Sequence, residues 1–157
     1  MVETFDWVQV GEIADIYMGQ SPSSQYVEEG LENGTPFLQG NAEFGDLYPS
    51  PKYSCSQPAK TADRGDVLVS VRAPVGEVNL ADRRYCIGRG LSAVHFKSVP
   101  SALGARLLSY FGSGLGQVAQ GTTFEAINRN ELSSLRLLLP PSGEQHLIAH
   151  ILDTLDT

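Results

Sequence analysis

His146 and His150 stand four residues apart, a spacing that places two imidazoles on one helical face, where they could share a metal ion. Between them, Leu147-Ile148-Ala149 lacks the glutamate that a helical metalloprotease motif uses as its base, and no third ligand is evident. Two histidines flanking an apolar stripe is the simpler account. Gly88-Arg89-Gly90-Leu91-Ser92-Ala93 formally fits a dinucleotide-binding fingerprint. The residues that follow are β-branched and aromatic where that motif needs a helix, and no acid stands about twenty residues on. The chain has no Gly-Lys-Ser/Thr phosphate loop and no Gly-x-Ser-x-Gly nucleophile elbow. Cys55 and Cys86 are too few for a disulfide framework and have no histidines at zinc spacing, so they read as reduced, small apolar residues. Nothing in the pattern supports catalysis.

A different chemistry is better represented. Reading a base edge needs side chains with two hydrogen-bonding groups: Arg for guanine, Asn or Gln for adenine. Gln39-Gly40-Asn41 offers two amides around a flexible glycine, directly after an apolar strand candidate. Arg72, Arg83, Arg84 and Arg89 are the guanine candidates, while Lys52, Lys60 and Lys97 fall in or beside turns where a positive surface could follow phosphates. Thr122 and Thr123 could donate to phosphate, or Thr122 could cap a turn. Each arginine also has the plain alternative of a surface ion pair, and Arg64, between Asp63 and Asp66, reads as structural.

Net charge seems at first to oppose an anionic partner. The 157 residues carry 11 Lys and Arg against 18 Asp and Glu, a formal charge of −7. Residues 1 to 51 hold nine of the acids and no basic residue, whereas all eleven basic residues lie between Lys52 and Arg136 with only six acids among them. That partition gives a basic middle suited to phosphate, with a mixed and solvated surface as the alternative. The length suits one domain with its own core. No basic and apolar leader and no membrane-length apolar run is present, so the expectation is a cytoplasmic protein with no membrane contact.

The elements that must position these residues follow from periodicity. Trp7, Val10, Ile13, Ala14 and Tyr17 recur at helical steps and predict a short helix over about 11 to 17. Residues 19 to 65 are rich in Gly, Pro, Ser and Asn and predict short strands joined by long loops. Asp66 to Val71 is a strand buried on both faces, and Glu77 to Leu80, Tyr85 to Ile87 and Leu91 to Phe96 are further strands. After Pro100 the period becomes helical, with Ser101 as cap and Leu103, Leu107, Leu108 and Phe111 on one face. A second amphipathic stretch follows Gly114, then a turn or two of helix over Asn128 to Leu135 and a strand over Arg136 to Leu139. A terminal helix begins at Ser142, with Ser142 and Gln145 as a capping box. Its stripe of Leu147, Ile148, Ile151, Leu152 and Leu155 suits either the core or a partner.

Several of these segments, in order, resemble the target recognition domain of type I restriction-modification specificity subunits. They are Trp7-Val8-Gln9-Val10-Gly11-Glu12-Ile13-Ala14, the Gly19-Gln20-Ser21-Pro22 turn, Gly34-Thr35-Pro36-Phe37-Leu38, and Gly65-Asp66-Val67-Leu68-Val69-Ser70-Val71-Arg72 with Gly76. Gly121-Thr122-Thr123, Ile127 and Leu132 continue the likeness, and Leu139-Pro140-Pro141 with Glu144-Gln145, Ile148-Ala149 and Leu152-Asp153 resembles the start of the spacer helix. The family's Asn-Gln-Gly turn is replaced here by Ile87-Gly88-Arg89-Gly90. Leu139 before Pro140-Pro141 differs from the Asn/Asp-Pro-Pro-Tyr pocket of an amino-methyltransferase.

The resemblance implies an α+β fold with an irregular, short-stranded β-rich core and helices toward the C-terminus. Residues 1–141 would be the recognition domain and 142–157 the start of the coiled-coil spacer. It implies that the chain does no chemistry and reads one half of a split target in double-stranded DNA. Modification subunits would bring S-adenosylmethionine, and restriction subunits ATP and Mg. A second recognition domain or a second copy would join through the C-terminal helix. One such domain would be either a half-subunit or an excised piece. Two other classes remain open: a protein-interaction module using the acidic first third, and an enzyme whose site is the polar loop at 19 to 26.

Overall fold

The computed structural model describes residues 4–115 and 126–155. Thr122, Thr123 and most of the amphipathic stretch expected after Gly114 lie outside the described residues. Strand β1 (Asp6–Gln9) leads into a single helical turn, α1 (Val10–Ile13), and then into β2 (Ala14–Met18). The helix expected over 11 to 17 is therefore mostly strand. Ala14 and Ile16 are buried at alternate positions while Asp15 and Tyr17 are exposed. That period of two matches a complete antiparallel ladder to the strand Leu91–Phe96, from Ser92 opposite Met18 to Phe96 opposite Ala14. The apolar positions fit both periods, and long-range pairing decides between them.

The short strands β3 (Val27–Glu29), β4 (Thr35–Leu38), β5 (Tyr53–Cys55) and β6 (Thr61–Ala62) follow as the loop-rich composition predicts. Next come β7 (Val67–Ser70), β8 (Val78–Leu80), β9 (Tyr85–Ile87) and β10 (Leu91–Phe96), close to their expected places. Every residue of β7 and β9 is buried. The chain closes with α2 (Ser101–Gly112), α3 (Arg129–Ser133), β11 (Arg136–Leu139) and α4 (Ser142–Leu155). The fold is mixed α+β with short strands, as expected.

Among the described residues three sheets form. One is antiparallel in the order β2-β10-β7-β8, one runs β3-β5-β4-β9-β6 with β4 and β9 parallel, and the third pairs β1 with β11. Leu38 and Ile87 of the second sheet meet Leu68, Leu91 and Ala93 of the first in a small core. A larger core joins Val67, Val69 and Val94 to Leu103 and Leu108 of α2, Leu132 of α3, Leu137 of β11 and Ala149 of α4. Removing these side chains from water is the main favourable term holding the layers together.

Two caps differ from expectation. Pro100, not Ser101, occupies the cap position of α2, and its carbonyl accepts the Gly104 N–H at 2.9 Å. At α4 the Gln145 side chain is buried and donates to the Pro140 carbonyl at 2.9 Å, while the Glu144 and Gln145 N–H groups reach the Pro141 carbonyl. Ser142 is thus inside the helix, and the expected Ser142–Gln145 box is replaced by this carbonyl anchor. Asn128 and Glu131 do form a reciprocal capping box on α3, at 2.8 and 3.0 Å.

Tyr85 fills the core between the two larger sheets and donates to Asp82 Oδ1 at 2.6 Å. Burial, reinforced by Asp82, pushes its phenol up to about 12. An acid whose folded pKa exceeds its unfolded value stabilises the fold below that unfolded value and loses this stabilisation as pH rises from about 10 to about 12. Chemical denaturation at increasing pH should show stability falling across that window, and Tyr85→Phe should flatten the fall. An equal fall in both proteins would exclude Tyr85 as its source.

Candidate nucleic-acid interface

The pairing within the second large sheet gathers one set of candidates at one end. Tyr53 pairs with Phe37, Phe37 lies beside Cys86, and Leu38 lies beside Ile87. Ile87 N–H donates to the Lys60 carbonyl at 3.0 Å. Lys52, Gln39, Arg89 and Lys60 therefore emerge at the same sheet end, from segments far apart in sequence. Arg72 joins them, because the Val71 N–H bonds the Gly90 carbonyl at 2.9 Å and Arg72 follows directly. All five side chains are exposed, and Asn41, opening a 3-10 turn at Asn41–Glu43, is half-buried beside them. Arg83 and Arg84 are exposed at the opposite end of β9, where Arg83 lies 5.8 Å over the Tyr85 ring. The structure brings the first six together and leaves this pair apart.

Local hydrogen bonds hold the loops that carry these residues. Ser21 Oγ donates to Gln39 Oε1 at 3.1 Å and accepts from Gln39 Nε2 at 2.9 Å, and it also accepts the Arg89 N–H at 3.3 Å. The Gln39 carbonyl accepts from Gly90, the Leu38 carbonyl from Gly88, and the Gly19 and Gln20 N–H groups bond Leu91 and Ile87. The loops at 19 to 24, 39 to 43 and 88 to 90 thus form one braced surface. Gln39 is a strut as well as an exposed amide.

Beside this surface runs a groove made of two adjoining depressions of about 480 and 440 Å³. The first is lined by Gln20, Arg89 and Arg129, the second by Asp66 and His95, and Tyr17 and Lys60 line both. Arg129 donates to the Ile16 carbonyl, which fixes its guanidinium over β2. His95 Nδ1 lies 2.7 Å from Oδ1 of the buried Asp66, whose other oxygen accepts the Asp63 N–H at 2.9 Å. The buried carboxylate thus orients the exposed imidazole. Asp66 engages His95 and the Asp63 backbone.

Tyr17, Gln20, His95 and Arg129 were not evident as site residues from sequence. Tyr17 and Gln20 were hidden by the helical reading of 11 to 17 and by the adjoining turn, and His95 lies inside a strand segment read for its apolar residues. Arg129 follows a capping asparagine and carries no local signal of its own. An exposed tyrosine, an amide and three cations along an open groove suit an extended polyanion whose bases can be touched at their edges.

Residues 3–157 match the type I restriction modification DNA specificity domain. The chain belongs to that family. It is 44% identical over 144 residues to the type I restriction enzyme MjaX specificity subunit of Methanocaldococcus jannaschii, covering 90% of this chain and 33% of that protein. Among solved structures it is similar to the HsdS subunit of Thermoanaerobacter tengcongensis, with TM-score 0.82 and 41% identity over 99% of this chain and 38% of that one. A chain from a study of complex assembly and conformational transition in a type I R-M system gives TM-score 0.86 and 42% identity, over 99% of this chain and 39% of that one. The S subunit of M. genitalium shares the fold at TM-score 0.71 and 18% identity, over 98% of this chain and 39% of that one. The specificity domain described here spans little more than a third of the length of these relatives.

Proposed function

We propose that this specificity domain reads one half of a bipartite target in double-stranded DNA and directs partner subunits to it without performing chemistry itself. The observation that carries the reading is the convergence of Gln39, Lys60, Arg72 and Arg89 at one sheet end beside the open groove. Arg72 and the amides supply base-edge recognition, and Lys60, Lys52, Arg89 and Arg129 supply phosphate attraction. Arg83 and Arg84 lie at the far margin of this footprint. In this reading S-adenosylmethionine belongs to modification subunits, and ATP and Mg to restriction subunits. Among the described residues no helix is long and apolar enough to cross a membrane. The test is to express the chain with adenine methyltransferase subunits of the same system and map methylated adenines. A single split motif that appears only with the chain present is the expected result, and methylation that ignores its presence overturns the reading.

The terminal helix provides the docking face. Ile148 and Leu152 pack toward α2 and the core, so they seat α4 on the domain. Leu147, Ile151 and Leu155 are 61%, 50% and 74% exposed and lie four residues apart on the other side. We assign the first pair to holding the helix and the second set to modification subunits and to the spacer helix of a second recognition domain or second copy. Leu147→Asp with Ile151→Asp should leave the melting temperature nearly unchanged, because exposed substitutions typically move stability by about 0.5 kcal/mol or less. The same variant should lose co-elution with the modification subunits in size-exclusion chromatography. Undiminished co-elution would exclude this face.

A further inference from the structure

The 3-10 turn after Gln39 and Gly40 places Glu43 at a small pocket of about 220 Å³, lined also by Val27, Phe37, Gln39 and Tyr53. Glu43 Oε2 is buried and has no hydrogen-bond partner among the described residues. A carboxylate oxygen out of water without a donor is costly, because the hydration it has lost is not replaced. Native structures rarely retain such an atom without a use for it. The pocket is below the roughly 300 Å³ at which small-molecule sites usually begin, so it suits the edge of a larger ligand. It also borders the candidate DNA surface, because Gln39 belongs to both.

We infer that this pocket receives the exocyclic amino group of a DNA base, toward which the flexible Glu43 side chain turns its buried oxygen as the acceptor. The inference rests on the DNA-reading function proposed above and adds the chemistry of one contact. An ionised carboxylate only accepts hydrogen bonds, so in the major groove it pairs with the N6 amine of adenine or the N4 amine of cytosine. Guanine O6 and thymine O4 would set oxygen against oxygen. Tyr53 is 42% exposed at the pocket wall and offers a ring for the base or sugar to lie against. Gln39 Nε2 uses one hydrogen on Ser21 and keeps a second, which N7 can accept if the base is adenine.

The experiment uses the chain assembled with its modification subunits and a duplex carrying the mapped target. Adenines of the half-site are replaced one at a time by unsubstituted purine, which lacks the N6 amine, or by 7-deazaadenine, which lacks N7. Cytosines are replaced by pyrimidin-2-one, which lacks the N4 amine. For the wild type, one amine removal should weaken binding by about 5- to 150-fold, the range of a good base contact. E43A should lose that penalty, and the similarly shaped E43Q should reduce it, with melting curves confirming that both fold. A matching penalty from 7-deazaadenine identifies adenine, and its absence with a pyrimidin-2-one effect identifies cytosine. If the wild type discriminates target from random duplex but both variants keep every penalty unchanged, this inference is overturned and DNA reading stands. If the wild-type complex binds all duplexes alike, DNA reading falls and the inference with it.

Discussion

Lys60→Ala combined with Arg89→Ala should weaken binding of the assembled complex to every duplex, target or random. Both residues are exposed, both line the groove, and Arg129 is the next cation along it. Each phosphate neutralised by a basic side chain releases condensed counterions, so affinity falls with salt at a slope of about 0.9 per contact on a log–log plot. Losing two contacts should make that slope shallower by about 2. At about 1.5 kcal/mol per charge-assisted contact, the double variant should bind roughly a hundredfold more weakly at low salt. Arg83→Ala with Arg84→Ala, at the other end of β9, should change the slope by less. A slope unchanged in the Lys60/Arg89 variant would remove the groove from the DNA footprint. A larger effect at Arg83 and Arg84 would move the footprint to the opposite sheet end.

That contrast marks what the sequence could and could not reveal. The strand β7 is legible because an apolar, β-branched run leaves few other ways to bury it, and β9 and β10 because short, mainly apolar segments stand between turn residues. The segment from 10 to 18 is not, since its apolar positions satisfy a helix and a strand equally and only the ladder to β10 decides. Side-chain types also name the candidate base readers. Their grouping was not legible, because it depends on β4 lying parallel to β9, a pairing between segments distant in the chain. Arg83 and Arg84 are guanine candidates by side-chain type alone, yet the structure places them away from the braced loops. The net charge of −7 was equally uninformative until the exposed cations could be placed on particular surfaces.

Gly19→Ala should be among the most damaging substitutions of a single methyl group in the domain. A Cβ at Gly19 would stand 2.0 Å from the Gly88 carbonyl oxygen and 2.8 Å from that of Leu91. Both obstacles are backbone, so no side chain can rotate away. The same short segment also donates its N–H groups to Leu91 and Ile87, so the loop cannot retreat without giving up those bonds. Overpacking of this kind costs about 3 kcal/mol or more, which for a chain of this size lowers the melting temperature by roughly 6–12 °C. Gly114→Ala is the matched control: its Cβ meets nothing within 4 Å among the described residues, and the change should be near neutral. The damage should reach function as well, because the carbonyl that must move belongs to the loop carrying Arg89 and bracing Gln39. Where Gly19→Ala still folds, its loss of discrimination between target and random duplex should exceed its loss of affinity for random DNA. A melting temperature within about 2 °C of wild type would show that the 19-to-24 and 88-to-90 loops are not locked together as the hydrogen bonds indicate.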